Sequence, residues 1–393
     1  SSLARCSALQ SEKKALTEQR AKLDAEIPAT MIMAEPAEPR PIFVLKRGQY
    51  DQRGEQVEPG FPEMLELPGT KQVSQAAQYL NRLQLAEWLT APQHPLTARV
   101  AVNRLWEMLF GIGIVETVED FGIQGALPSH PELLDWLATE LVRQKWDQRV
   151  ILKQIVMSAA YRQSSATNAV QLERDPENRL LSRGPRNRLS AETVRDNALF
   201  VSGLLVEKIG GPSVKPYQPE GLWEDVSVER RDKYVPDTDD GRYRRSMYTF
   251  WKRTCPPPGM ATFDAPDRET CVVRRARTNT PLQALVLLND PTYIEAARKL
   301  AERIMLAADA DRERNQLAFQ IVLARSPNNS EFEQLKQIYQ AAHQHFAEDI
   351  EAAAAFLEIG DADYNQALDQ AETAAWATAM SVLLNLDETI SKR

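Results

Sequence analysis

"CVVRRARTNTPLQALVLLNDP", residues 271–291, decides how the chain is to be read. Thr280-Pro281 supplies an N-cap and a proline at the first helical position, with Gln283 placed to close a capping box. Asn289-Asp290-Pro291 then ends that short helix and starts a second one that runs through Leu306. Two preset starts ten residues apart make a helical corner. Arg274, Arg275 and Arg277 precede the first start, so the corner holds a cluster of guanidinium groups near a defined helix N-terminus.

Outward from this corner the same punctuation recurs. Leu80, Leu83 and Trp88 share a helix that stops before Pro92, and residues 96–110 form the next, closed by Gly111. "SHPELLDWLATELVRQKW" (129–146) is predicted to open with a capping box of Ser129 and Glu132. Asp147 caps residues 148–163 and Ser190 caps 191–205. Ser330 and Glu333 make another box before Phe332, Leu335 and Ile338. A last long helix is placed at 364–385, with Trp376, Met380 and Leu383 on one side.

The fold class is therefore mainly α. A multi-helix domain is expected over 75–393, interrupted by a long irregular, β-containing insertion at about 205–279. Within it, "RRSMYTFWKRT" (244–254) reads as a strand that "CPPPG" leaves as a rigid turn. Residues 1–27 read as a helix with Leu9, Leu16 and Leu23 at heptad spacing, the tail of an upstream domain. Residues 28–74 read as an extended proline-rich linker, since Pro28, Pro36, Pro39, Pro41, Pro59, Pro62 and Pro68 exclude long helices. "IFVLKRGQY" (42–50) has strand character inside that linker.

Composition sets outer bounds. With 393 residues, 43% hydrophobic and 26% charged, the chain is an ordinary globular protein, long enough for two or three units and a sizeable core. No run approaches the roughly 18 uninterrupted apolar residues of a membrane span. The chain opens with Ser1, so a piece of a longer protein is expected, and the lack of a leader says nothing about location. Net charge is −8, but residues 174–277 carry 20 basic against 16 acidic groups while 278–393 carry 9 against 18. A basic centre can attract an anion, or can be neutralised by the acidic C-terminal part folding over it. A pI near 5.3 and the lack of any nucleic-acid module disfavour nucleic acid.

The usual catalytic signatures are missing: no Walker loop, no G-x-S-x-G, no H-E-x-x-H. His343 and His345 point to different helix faces; His94 and His130 each precede a proline near a helix start, where capping competes with function. No metal site is predicted, and the lack of C-x-x-C-H excludes haem attachment to this chain. Asp264 and Asp267, in "FDAPDRE", could divide general acid and base work or could cap turn amides. With His130 they are the catalytic candidates. Arg99 and Asn103 share a helix face with Trp106, either as ligand contacts or as a salt-bridged surface.

Eight aromatic side chains crowd residues 217–263, flanked by arginines. Arg245, Trp251, Arg253, Arg268, Arg274, Arg277 and Asn279, with Arg99 and Asn103, are the ligand-binding candidates. Guanidinium forks beside aromatic faces suit a carboxylated or sulfated sugar. Equally, those arginines, Arg244 among them, could pair with Asp and Glu to hold the insertion down. Cys255 and Cys271 flank one loop and form a candidate disulfide if the compartment is oxidising.

Several blocks carry a resemblance: "HPLTARVAVNRLWEMLFGIGIVETVEDFGIQGALPSHPELLDWLA" (94–138), "YRQSS" (161–165), "RNRLSAETVRD" (186–196), the stretch from "RRSMYTFWKRTCPPPG" to "LVLLND" (244–290), and "LLNLDE" (383–388). Together, over about residues 75–390, they resemble the planctomycete cytochrome c-associated C-terminal domain family, a domain of unknown function. Residues 1–70 resemble the end of its usual companion domain. The resemblance implies an exported, periplasmic or cell-surface protein, with haem c in an upstream domain and polysaccharide as the handled material. Its partners would be the upstream companion and cytochrome c domains of the same protein. The expected function is a module of a haem-linked carbohydrate oxidoreductase; the alternatives are a non-catalytic glycan- or partner-binding scaffold and a hydrolase using Asp264 and Asp267.

Overall fold

Among the described residues helices dominate, and sheet is confined to two small antiparallel pairs. The structure, a computed structural model, describes residues 2–27, 30–36, 40–65, 67 and 80–392. Pro28, Pro39, Pro68 and the expected boundary between 74 and 75 lie outside the described residues. The chain divides into two units, 1–97 and 98–393.

In the first unit, α1 (Ser2–Glu26) leaves Leu9, Leu16 and Leu23 exposed. The described part of the proline-rich stretch fits an extended linker that carries one short hairpin. β1 (Ile42–Leu45) pairs with β2 (Arg53–Val57), Ile42 opposite Val57. Asn81 and Gln84 make a reciprocal capping box that starts α2 (Arg82–Leu89). Trp88 on that helix stacks on Phe61 at 5.1 Å and donates to Leu65 O at 3.3 Å. His94 is buried and its Nδ1 accepts the amides of Leu96 and Thr97, a capping role; burial pushes its pKa down.

The second unit has, among its described residues, two large apolar centres and a smaller one around Ala353, Leu357 and Ala374. One is built by α3 (Thr97–Phe110), α4 (Pro131–Arg143) and α5 (Gln148–Met157), around Val102, Leu141 and Ile151. The larger is built by α6 (Ala191–Ser202), α7 (Pro258–Thr262), α8 (Pro281–Asn289), α9 (Pro291–Ala307), α10 (Asp311–Leu323), α11 (Asn329–Glu348), α12 (Ile350–Leu357) and α13 (Gln370–Leu384). α9 packs on α6 and α13, and α13 on α11. Ala296, Ala297 and Ala301 on α9 face this core with Ala377 and Ala379 of α13, all buried. Small side chains let helices approach closely, and Trp376 fills the remaining space, stacked on Tyr339 at 4.5 Å.

The helical corner stands: Thr280 is the N-cap of α8 with Pro281 first, and Asp290 caps α9 by accepting Thr292 N. Asp147 and Ser190 cap their helices as the sequence predicts. Other starts move. Ser129 is spent on Ile114 O, so His130 takes the N-cap position and Pro131 fixes the first turn. The capping box near 330 is formed by Asn328 and Glu331 instead, because Arg325 holds the Glu331 carboxylate there at 2.7 Å. Gln283 closes no box, being buried and donating to Thr262 O and Thr278 Oγ1. The last long helix begins at Gln370, behind Asp369.

The insertion is irregular as expected, but 244–254 is not a strand. It holds a short 3-10 turn at Ser246–Tyr248, and its backbone pairs with the rest of the insertion through isolated bridges such as Val214 with Thr249. The reason lies in its side chains. Arg244, buried, donates to the carbonyls of Lys208, Gly210 and Pro212 and stacks 3.9 Å over Tyr248. These side-chain forks replace ladder bonds.

Candidate functional site

Residues 271–279 carry no regular structure and are exposed. From this segment Arg277 reaches the end of α3 and donates from Nη1 to Gly111 O at 2.8 Å. Gly111 has φ +87, and a Cβ there would stand 2.9 Å from that same nitrogen, so the contact needs glycine twice over. From the other side, β3 (Asn187–Arg188) pairs with β4 (Ser391–Lys392), which fixes Arg186, Asn187 and Arg188 opposite. Between them opens a basin of about 520 Å³. Arg186, Arg188, Arg274 and Arg277 line it with Asn279, against two carboxylates, Glu177 and Asp387.

The charges do not cancel. Asp387 takes Arg186 at 2.9 Å. Arg188 keeps a buried Nη1 with no partner, and the neighbouring Asn187 Oδ1 is likewise buried and unpartnered. Burial pushes Arg277 down, with Glu107 opposing that shift and Arg274 adding to it. Glu107, beside both arginines, is itself pushed up by burial against their pull. An unmet buried donor costs about 1–3 kcal/mol. An anion entering the basin would gain charge-assisted bonds from the guanidinium groups that line it. The basin therefore has the chemistry of an anion receptor.

Of the residues singled out from sequence, Arg274, Arg277 and Asn279 come together here. Most others hold the fold. Arg99 pairs with Asp135 at 2.7 Å. Asn103, fully buried, clamps Val115 through both its amide and its carbonyl, at 2.9 Å each. Arg245 lies 3.6 Å from Asp196 and Arg253 lies 4.0 Å from Glu269. Arg268 stacks over Trp251, whose indole donates to Asp267 O. Arg275 pairs with Glu192.

The catalytic candidates are similarly engaged. Asp264 accepts the amide and hydroxyl of Thr278, and Asp267 accepts the amide of Glu269. His130 is bonded to Ser129 Oγ at 3.0 Å. Cys255 and Cys271 are free thiols in this structure, so the candidate disulfide is not formed. Cys255 turns instead toward Gln218 and Leu222 O, both at 3.8 Å, in a half-buried site.

Sequence reasoning missed the opposing half of the basin, Arg186, Asn187 and Arg188. The only signal was their position in "RNRLSAETVRD"; nothing local shows that the C-terminal strand brings them to Arg277. It also missed Arg195, which sits on the apolar side of α6 beside Ala191, Val194 and Ala198, all buried. A charged residue in an apolar stripe was the readable sign.

The model of the PSD1 family, described as proteins of unknown function (DUF1553), matches residues 81–339, more than half of the chain. No curated protein and no solved structure matches it. The chain belongs to the PSD1 family.

Proposed function

We propose that this PSD1 protein holds an anionic polysaccharide, sulfated or uronate-bearing, in the basin formed by Arg188, Arg274 and Arg277. The sharing of one open basin by these arginines and two asparagine side chains carries the reading. Guanidinium forks match the planar or trigonal faces of carboxylate and sulfate, and amide groups serve sugar hydroxyls. In the wider setting implied by the sequence resemblance, this unit would be the substrate-holding module of an exported, haem-linked carbohydrate oxidoreductase. The three cysteines, none in a C-x-x-C pair, do not fit the two thioether bonds of haem c. The reading therefore leaves electron transfer to another domain and routes no step through haem here.

A non-catalytic scaffold remains the second reading, and it shares the same ligand. It is favoured by the engagement of Asp264 and Asp267 in turn hydrogen bonds, which leaves the hydrolytic alternative weakest. Calorimetric titration of the chain with dextran sulfate, polygalacturonate and unmodified dextran tests the shared claim. The two anionic polymers should bind and dextran should not. Replacing both Arg274 and Arg277 by Ala should weaken binding at least about tenfold, the scale of losing one charge-assisted bond or more. Equal binding of dextran, or undiminished affinity of the double variant, overturns it.

A further inference from the structure

A second cavity lies in the same unit, lined by other residues. Pro219 and Pro258 flank a cleft of about 520 Å³ whose other walls include Leu282, Leu285 and Val286 of α8. Tyr217, Pro219, Pro258, Gly259 and Asp290 also line an inner recess of about 40 Å³. Arg195, Tyr234, Thr249, Thr292 and Tyr293 complete the polar side of that recess, with the Tyr234 hydroxyl already donating to Pro216 O. At roughly 10–15 Å³ for each water-sized group, it holds about three non-hydrogen atoms.

The polar groups of the recess are incompletely used. Arg195 is 6% exposed, and its two terminal nitrogens serve the carbonyls of Arg242 and Arg244 and the Ser246 hydroxyl. Its Nε is buried with no partner, and so is Thr249 Oγ1. Asp290 accepts the amide of Thr292 at 2.9 Å, which takes one of a carboxylate's four lone-pair directions. A cationic donor and a carboxylate acceptor thus line one recess, with their opposite charges near balance. A ligand group entering it needs an acceptor for Arg195 and a donor for Asp290, and no net charge of its own.

We infer that this recess binds a carboxamide or acylamino group whose apolar body rests in the outer cleft. The carbonyl oxygen faces Arg195 and Thr249, the N–H faces Asp290, and the body packs on Leu285, Val286 and the prolines. Three heavy atoms of an amide fill the inner volume. An apolar body gains about 25 cal/mol for each Å² removed from water. The site is separate from the arginine basin, and nothing in it depends on the glycan reading.

The test uses 3-phenylpropanamide, 3-phenylpropanoate and 3-phenylpropanol, titrated into the full chain and followed by ligand-observed NMR and calorimetry. The amide should bind about tenfold more tightly than the acid and the alcohol. Thr249→Val keeps shape and removes the unpartnered hydroxyl, so it should weaken the amide several-fold while leaving thermal stability unchanged or higher. Val286→Trp, at the half-buried cleft wall, should abolish binding with the fold intact by circular dichroism. No saturable amide binding up to about 10 mM, the weak end of small-ligand affinity, overturns the inference. So does equal or tighter binding of the acid, or amide binding unmoved by Val286→Trp.

Discussion

At the scale of single residues, several side chains that look like ligand contacts in sequence are answers to local backbone demands. Asn103 satisfies both polar groups of Val115 in a fully buried place. Asn103→Ala should cost about 2–4 kcal/mol in urea unfolding, because two buried backbone groups lose their partners. A cost near zero would show that the 111–115 turn is held by something else. Glu140 makes a pH-dependent counterpart. Hydrogen bonds from Arg143, then Gln144 and Gln154, hold its carboxyl down to about 2 from an ordinary 4.5. A depressed folded pKa stabilises above the unfolded value, so this contribution is complete above pH 4.5 and drains as pH falls toward 2. Glu140→Gln should flatten the acid limb of the stability curve; an unaltered limb would contradict the assignment. The polar character of both residues was legible in the sequence. Arg143 and Gln144 lie within a helical turn of Glu140, whereas Val115 and Gln154 lie 12 and 14 residues from Asn103 and Glu140, and separation along the chain hides those contacts.

At the scale of elements, helix starts were legible wherever a cap and a proline coincide, as at Thr280-Pro281 and Asp290-Pro291. At residues 328–333 a tertiary contact overrode the local signal. Asn328 wins over Ser330 because Arg325 bonds both Glu331 and Glu388, tying the start of α11 to the C-terminal segment. Asn328→Ala should therefore cost about 1 kcal/mol, the usual value of a cap. Ser330→Ala, already inside the helix, should change stability by no more than about 0.5 kcal/mol. Thermal unfolding of the two variants side by side distinguishes them, and equal losses would refute the placement. The false strand at 244–254 has the same origin. β-favouring aromatics signal strand, but Arg244 and Arg195 capture the carbonyls that a neighbouring strand would need.

At the scale of the 98–393 unit, the crowd of aromatics and arginines in the insertion turns out to fasten it to the helices. Tyr217 and Tyr243 both donate to the buried Glu295 of α9, which also accepts the amide of Ala362 at 2.6 Å. Gly360 permits this approach, since a Cβ there would stand 2.5 Å from Glu295 Cδ. Arg242 stacks on Tyr217 and pairs with Asp361. Glu295→Ala should destabilise by about 3–5 kcal/mol, the range for breaking a buried charged network, and should loosen the insertion to proteolysis; retained stability with an intact insertion would contradict this. Composition revealed the enrichment but not its purpose, because stacking on a ligand and stacking on the chain's own arginines draw on the same residues.

Of the ligand candidates, Arg274 and Arg277 come together at one open basin with Arg188 opposite, and the proposed function rests on that basin. The most direct measurement is an anomalous difference map from crystals of this chain soaked in selenate, a sulfate mimic. A selenium peak within about 4 Å of guanidinium nitrogens of both Arg188 and Arg277, the reach of a charge-assisted bond plus one Se–O length, is the predicted result. Selenate bound elsewhere on the chain, with the basin empty at the same concentration, would contradict it.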